Sequence, residues 1–257
     1  MARDYTAAEG TDTELEFLGR TVRVGTYPIS IDTKWFEQQA GSAPATREAQ
    51  EIRKRVGPQR KIILCVDRLD YTKGIETRLR AFEELLRKRR LAVDKVVMVQ
   101  IAVPSRETVP DYARTRDRVE QMVGRINGEF SAPGRVAVHY FRRSLNRHEL
   151  VAYYRAADVM LVTPLRDGMN LVAKEYIACR TDSSGVLVLS EFTGAARELR
   201  RALLVNPRDL DGMAATIEAA VKLPRSEARH RMAILRTVVR RHDVHEWAGQ
   251  FLEALNR

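Results

Sequence analysis

Lys61-Ile62-Ile63-Leu64-Cys65-Val66 is the stretch that decides the fold. A short unbroken apolar run of this kind is the mark of a strand buried on both faces, as strands of a parallel sheet are. A helical pattern follows over about 75–90, where Leu79, Phe82, Leu85 and Leu86 fall at helical spacing. The same alternation then repeats. Strands are expected at 96–103, 136–141, 159–163, 186–189 and 202–205, and helices at 110–127, 147–156, 169–180, 194–200 and 209–222. Strands alternating with helices of 10–15 residues predict an α/β fold, a doubly wound parallel sheet of the Rossmann-like kind with right-handed crossovers, over about 58–223. Upstream, residues 1–18 read as polar and irregular, and Thr21–Ile29 as an alternating strand ended by Pro28. A helix over 33–56 is broken near Gly41–Pro44, and 225–256 read as two helices without a strand.

The 257 residues are 44% hydrophobic, enough for a real core. No apolar run is long enough to span a membrane, and the first thirty residues lack the apolar stretch of a signal peptide. Cys65 and Cys179 each lie inside an apolar run and are expected to be reduced core thiols, which points to the cytoplasm. Lys and Arg total 44 against 34 acids, a net charge of +10 that favours anionic partners without choosing among them. The densest run, Arg87-Lys88-Arg89-Arg90, ends a predicted helix, where it complements the helix dipole. No string of the RNP or KH type interleaves aromatics with these cations, so no nucleic-acid or membrane partner is expected.

Ligands of doubly wound sheets bind beyond the carboxyl ends of the strands. After the first domain strand stand Asp67-Arg68-Leu69-Asp70-Tyr71-Thr72-Lys73-Gly74. Arg68 and Lys73 suit a diphosphate at a helix start, or form ordinary ion pairs with Asp67 and Asp70. After the strand at 159–163 come Thr163-Pro164-Leu165-Arg166-Asp167-Gly168-Met169-Asn170-Leu171-Val172-Ala173-Lys174-Glu175. Gly168 permits an unusual backbone angle and a close ligand approach. Residues 169–172 offer free N–H groups at a helix start. Asp167 repels phosphate but accepts from sugar hydroxyls, or else caps the helix. Glu175 suits a ribose hydroxyl, or forms an exposed pair with Lys174. Arg106, after the second strand, is available for a second anion or for Glu107 or Asp111. Asp209-Leu210-Asp211 mimics a metal-binding D-x-D but falls at a helix start, where capping is the better reading. The five histidines are dispersed, so no metal site is expected.

V-D-R-L-D-Y-T-K-G (66–74), Q-I-A-V-P-S-R (100–106) and L-V-T-P-L-R-D-G-M-N-L-V-A-K-E-Y (161–176) resemble the trehalose-6-phosphate synthases, which are retaining GT-B glycosyltransferases. So do G-R-I-N-G (124–128), V-L-S-E-F-T-G-A (188–195) and R-H-D-V-H-E-W (241–247). The resemblance implies transfer of glucose from UDP-glucose to glucose-6-phosphate, giving trehalose-6-phosphate and UDP, with no cofactor or metal. It implies catalytic roles for Arg68, Lys73 and Asp167. Arg68 and Lys73 would hold the donor diphosphate, and Asp167 would accept from the glucosyl hydroxyls. Gly168, Met169 and Asn170 would line the same spot, the backbone of Leu171 and Val172 would meet the diphosphate, and Glu175 would take the ribose. Leu145 matches a position whose backbone contacts uracil, and Arg106 one that grips the acceptor phosphate.

The resemblance also implies a division of the chain. Residues 1–30 would be the tail of an acceptor domain, 31–57 a linker and helix, 58–223 the donor-binding domain, and 224–257 helices that cross back to the acceptor domain. On that division the chain is a donor-binding fragment, inactive alone, and the apolar face Val244, Trp247, Phe251 and Leu255 is partly exposed. A homo-oligomer, or a separate chain supplying the acceptor domain, is an expected partner. The competing expectations are a related transferase with another phosphorylated acceptor and a nucleotide-sugar-binding module without turnover.

Overall fold

The computed structural model describes residues 9–10, 13–105 and 109–256. Among these residues a six-stranded sheet carries the fold. Its strands are β4 (Lys61–Arg68), β5 (Val96–Val103), β6 (Val138–Phe141), β7 (Val159–Val162), β8 (Val186–Ser190) and β9 (Leu203–Val205). Every pairing within it is parallel, and the order is β6-β5-β4-β7-β8-β9. The chain winds outward from β4 to one edge, returns to β7 beside it, and winds outward to the other edge. The order therefore reverses between β4 and β7, where a crevice opens at the carboxyl ends.

The period-2 alternation of a strand explains the two layers of helix. In β4, Ile62, Leu64 and Val66 face one side and Ile63 and Cys65 the other. The first side is covered by α1 (Thr33–Gly41), α2 (Ala43–Val56), α5 (Arg147–Ala156), α6 (Leu171–Cys179) and α8 (Arg225–Arg241), through Phe36, Ile52, Val151, Ile177 and Leu235. The second is covered by α3 (Ile75–Arg87), α4 (Pro110–Phe130) and α7 (Leu210–Lys222), through Leu79, Phe82, Val119 and Ile217. Both cysteines are buried and free, as expected.

Local signals set the helix ends. Ser42 ends α1 and starts α2, accepting from the Ala45 N–H, and Pro44 sits in the first turn of α2, so the predicted break is real. A reciprocal capping box joins Asn146 and Glu149 at α5. Asp209 accepts from the Gly212 N–H at 2.9 Å, so it caps α7 as expected. Arg87, Lys88 and Arg90 pair with Glu129, Glu84 and Glu218, so the basic run is a paired helix end rather than a bare one.

Several expectations need correction. Residues 194–200 are not a helix: Gly194–Arg197 form a single 3-10 turn. Thr21–Ile29 is not one strand. β3 (Arg20–Arg23) ends early and pairs antiparallel with β2 (Glu14–Phe17), which in turn pairs with β1 (Glu9–Gly10). The turn between β2 and β3 is Leu18-Gly19, with φ of 51° and 71°, the paired positive angles of a two-residue hairpin. Leucine in the first position hid that turn, and β1 and β2 lie where no strand was expected. α9 (Val244–Leu255) packs along the segment that follows the hairpin. The Val244 N–H donates to Ile31 O, and Trp247 Nε1 donates to Tyr27 O at 3.1 Å. Val244 and Trp247 are half-buried, while Phe251 and Leu255 are exposed. None of the helices among the described residues is long and apolar enough to cross a membrane.

One glycine sets how tightly the sheet's central loops meet. Gly74 has φ +65°, and a Cβ there would stand 2.2 Å from the Thr163 carbonyl oxygen at the end of β7. A left-handed angle costs a non-glycine residue about 1–2 kcal/mol, and the contact adds to it. Gly74→Ala is expected to lower unfolding stability by about 3 kcal/mol, read as a shift in urea midpoint. A loss below about 1 kcal/mol would show that the loops can part.

Candidate active site

The two loops at the switch point are built against each other. The loop after β4 makes a 3-10 turn over Tyr71–Lys73, capped by Asp70, whose Oδ1 accepts from the Thr72 N–H and hydroxyl at 2.8 Å each. Burial works to raise the Asp70 carboxyl. The Thr72 bonds, with Arg68 and Lys73 nearby, outweigh it and hold the group below the ordinary carboxylate range. The Leu165 N–H, in the loop after β7, donates to Thr72 O at 2.7 Å. That bond brings Lys73 beside Asp167.

Lys73 Nζ donates to Asp167 Oδ2 at 2.7 Å, between side chains only 13% and 17% exposed. Neither Asp67 nor Asp70 takes this lysine, so the expectation of a local ion pair for it is wrong. Asn170 Nδ2 donates to the same Asp167 oxygen at 3.1 Å, and its Oδ1 accepts from the Ala173 N–H at 3.0 Å. Asn170 is therefore the N-cap of α6, not Asp167, and the helix starts at Leu171 rather than 169. The N–H groups of Leu171 and Val172 have no acceptor among the described residues. They face outward at the positive end of α6, an arrangement suited to an anion. Arg68 stands on the same side. Its guanidinium lies 3.8 Å from Asp70, the local ion pair that the alternative reading expects, without a hydrogen bond, and its side chain is 55% exposed.

Gly168 does not supply the unusual backbone angle expected of it. Its φ is not positive, and Asn170 carries φ 77° instead. Gly168 matters through its carbonyl, since a Cβ on Gly194 would stand 2.0 Å from that oxygen. The β7 loop is strapped there to the loop after β8. The Asp167 N–H donates to Phe192 O, the Gly194 N–H to Asp167 O, and the Ala195 N–H to Met169 O, at 3.0–3.2 Å. A cleft of about 820 Å³ opens beside the strap, with Asp167, Gly168 and Met169 on one wall and Tyr27, Pro28 and Ile29 on another.

The expected exposed pair Lys174–Glu175 is also wrong. Lys174 is fully buried; its ammonium pairs with Glu198 at 2.9 Å and lies 3.3 Å from Ile29 O and 3.4 Å from Ser30 Oγ. It ties α6 to the chain segment lining the cleft. Glu175, half-buried, accepts from the Tyr154 hydroxyl at 2.8 Å. Leu145 lies in the turn between β6 and α5, half-buried against the core. No hydrogen bond or ion pair among the described residues joins Glu175 or Leu145 to the Lys73–Asp167 pair. Arg106 lies outside the described residues. Among the described residues no cluster of His, Cys, Asp and Glu is placed to hold a metal ion.

Burial raises the Glu175 carboxyl above its ordinary value, against the opposing pull of Tyr154 and Arg147. A carboxyl raised in the folded state contributes stability that is fully present below its unfolded value of about 4.3 and is lost as pH rises through the folded value. Urea midpoints measured from pH 4 to 7 are expected to fall less for Glu175→Gln than for the parent chain. Tyr154→Phe should deepen the fall, since it removes the one hydroxyl on the buried carboxylate. A parent chain that gains on Glu175→Gln as pH rises would mean that the carboxyl is depressed instead.

Comparison with known proteins bears on the whole chain. Residues 3–257 match Glycosyltransferase family 20. A trehalose-6-phosphate synthase of Mycobacterium avium is 56% identical over 242 residues, covering 94% of this chain and 49% of that protein. One from Mycobacterium leprae is 57% identical with the same coverage. The chain thus spans about half the length of the curated relatives it matches. Among solved structures, a UDP-forming α,α-trehalose-phosphate synthase from Burkholderia xenovorans in complex with glucose-6-phosphate superposes with TM-score 0.92 at 38% identity, over 97% of this chain and 56% of that one. An Escherichia coli structure bound with UDP-2-fluoro glucose also gives TM-score 0.92, at 37% identity over 99% of this chain and 57% of that one. The glycines, caps and charges at the switch point are therefore set in a fold shared along nearly its whole length with these enzymes, and the chain belongs to glycosyltransferase family 20.

Proposed function

We propose that this chain carries the donor-binding part of a UDP-forming trehalose-6-phosphate synthase, which moves glucose from UDP-glucose to glucose-6-phosphate with retention at the anomeric carbon. One observation carries the reading: Arg68, Lys73, Asp167, Asn170 and the start of α6 converge at the β4/β7 switch point. The signs fit the substrate. A departing UDP builds negative charge on its diphosphate, and two cations and a helix start stand where that charge develops. The free N–H groups of Leu171 and Val172 meet the phosphate oxygens. Asp167, which repels phosphate, is an acceptor for the glucosyl hydroxyls beside Gly168 and Met169. Glu175 accepts from the ribose, the Leu145 turn meets the uracil, and Arg106 meets the acceptor's phosphate.

Attack comes from the face that UDP leaves. The acceptor hydroxyl bonds to the anomeric carbon as the bond to the diphosphate oxygen breaks, and that oxygen takes the acceptor proton. No protein nucleophile is needed. Arg68 and Lys73 carry the charge compensation, so the reading is metal-independent. The acceptor is glucose-6-phosphate by analogy with the Burkholderia complex.

The reading is tested by thermal unfolding with UDP, ADP or GDP at fixed salt. UDP at a hundred times its dissociation constant adds about 2.7 kcal/mol, a rise of roughly 5–10 °C for a chain of this size. The rise is expected with UDP alone, is abolished in Arg68→Ala, and is unchanged by EDTA. Equal rises with all three nucleotides, or none with UDP, would overturn the reading; a rise lost to EDTA would overturn its metal independence.

A further inference from the structure

Arg78 is the largest fully buried side chain among the described residues, and the donor-site reading gives it no role. It projects from α3 toward the carboxyl end of β4. Its Nη1 lies 2.5 Å from Asp67 Oδ2, and the Asp67 side chain is only 2% exposed. Its Nη2 donates to the Lys73 carbonyl at 2.6 Å. Nη1 also lies 3.4 Å from Leu161 O in β7, while Nε has no partner. One planar group thus touches the end of β4, the loop after it, and β7. Burial opposes the charge, but Asp67, with Cys65 beside it, more than offsets this and keeps the guanidinium ionised. The neighbouring Cys65 thiol is pushed up to about 11 by burial, so it stays neutral near pH 7 and leaves Asp67 as the counter-charge.

The geometry reaches further than a core ion pair needs. Asp67 takes one arm of the fork, and the other arm goes to the backbone of the very residue whose ammonium holds Asp167. The Thr72 carbonyl is held by Leu165 and the Lys73 N–H by Asp70 O, and Arg78 adds a bond to the Lys73 carbonyl itself. Lys73 stands on a flexible stem, so the place where its backbone is held biases where its head stands. A lysine at 78 could serve Asp67 as a point charge, but it lacks the two-armed reach.

We propose that Arg78 is a positioning residue of the donor site, a buried fork that braces the Lys73 carbonyl against Asp67 and so sets where the Lys73 ammonium stands. The proposal rests on the donor-site reading above only for its effect on nucleotide binding; the effect on Lys73 itself does not depend on it.

The test uses the whole chain, with Arg78→Gln, Arg78→Lys and the charge-neutral pair Asp67→Asn/Arg78→Gln, each checked for cooperative unfolding. The first readout needs no nucleotide. Lysines are acylated with limiting acetic anhydride and quantified by peptide mass spectrometry. Lys73 is expected to react slowly in the parent, several-fold faster in all three variants, and as fast as in Asp167→Asn. Lys95, 76% exposed, should not change, and buried Lys174 should stay protected. The second readout is UDP affinity by calorimetry. Lys73→Ala and Arg78→Gln are each expected to weaken it by ~10-fold or more, and the double variant no more than Lys73→Ala alone.

A merely structural role predicts otherwise: Lys73 and Lys174 gain reactivity together, or the two losses of affinity add. Either result overturns the proposal, as does unchanged Lys73 reactivity in a folded variant. If none of the three variants folds, the pair serves stability alone and the proposal falls. A parent chain that takes no UDP sinks the donor-site reading, and Lys73 acylation still decides the positioning.

Discussion

The site depends on how closely the loop after β4 can approach the end of β7. A backbone loop and a strand end can meet only where no side chain stands between them. Gly74 supplies the gap, and the Leu165 N–H to Thr72 O bond closes it. Two consequences follow. Lys73 is carried across the strand order reversal to Asp167, and α3 starts directly beneath, so Arg78 can reach back to the same loop. The loop after β8 repeats the device, with Gly194 against the Gly168 carbonyl. Two glycines at close approach thus lock three loops at the carboxyl end of the sheet.

Charge is handled differently inside and outside. The +10 excess sits largely in exposed arginines, many of them in surface pairs that contribute little to stability. Five cations are buried among the described residues, and four of them pair with an acid: Arg78 with Asp67, Lys174 with Glu198, Arg180 with Asp182, Arg236 with Glu37; the fifth, Arg60, gives its guanidinium to the carbonyls of Val56, Val96 and Val136. A buried pair gains little over apolar packing of equal volume, but removing one partner costs about 3–5 kcal/mol. Such pairs hold geometry more than they add stability. Lys174 joins α6 to the segment at Ile29 and Ser30, and Arg78 joins α3 to β4 and to Lys73. Both helices begin at the site.

What could be read in the sequence divides along the same line. Strands buried on both faces announce themselves as apolar runs, so β4, β5, β7 and β8 fell close to where the runs predicted. Caps are local, and Ser42, Asn146 and Asp209 mark their helix ends in the sequence. The long motifs fall on the loops that meet at the β4/β7 switch point. What stayed hidden was pairing at a distance. Lys73 and Asp167 are 94 residues apart, and nothing in either loop names the other. Lys174 looked like a surface residue because it stands beside Glu175 in an ordinary helical string; only the packing of α6 against the Ile29 segment shows it buried. The Arg78–Asp67 pair spans 11 residues across a strand, a turn and a helix, with no helical or strand period to betray it. The sequence points to Gly168 for the unusual backbone angle, whereas the left-handed φ falls on Asn170, the N-cap of α6.

The Lys73–Asp167 pair also constrains how an anion can enter. One oxygen of Asp167 takes both the Lys73 ammonium and the Asn170 amide, and Oδ1 has no protein donor among the described residues. That leaves an acceptor for neutral hydroxyls and none for phosphate. Lys73 has three N–H donors and gives one to Asp167, so it can take a phosphate oxygen without leaving its carboxylate. On the donor-site proposal, the carboxylate lowers the net positive charge that a diphosphate would meet, and Arg68 and the start of α6 would supply the balance.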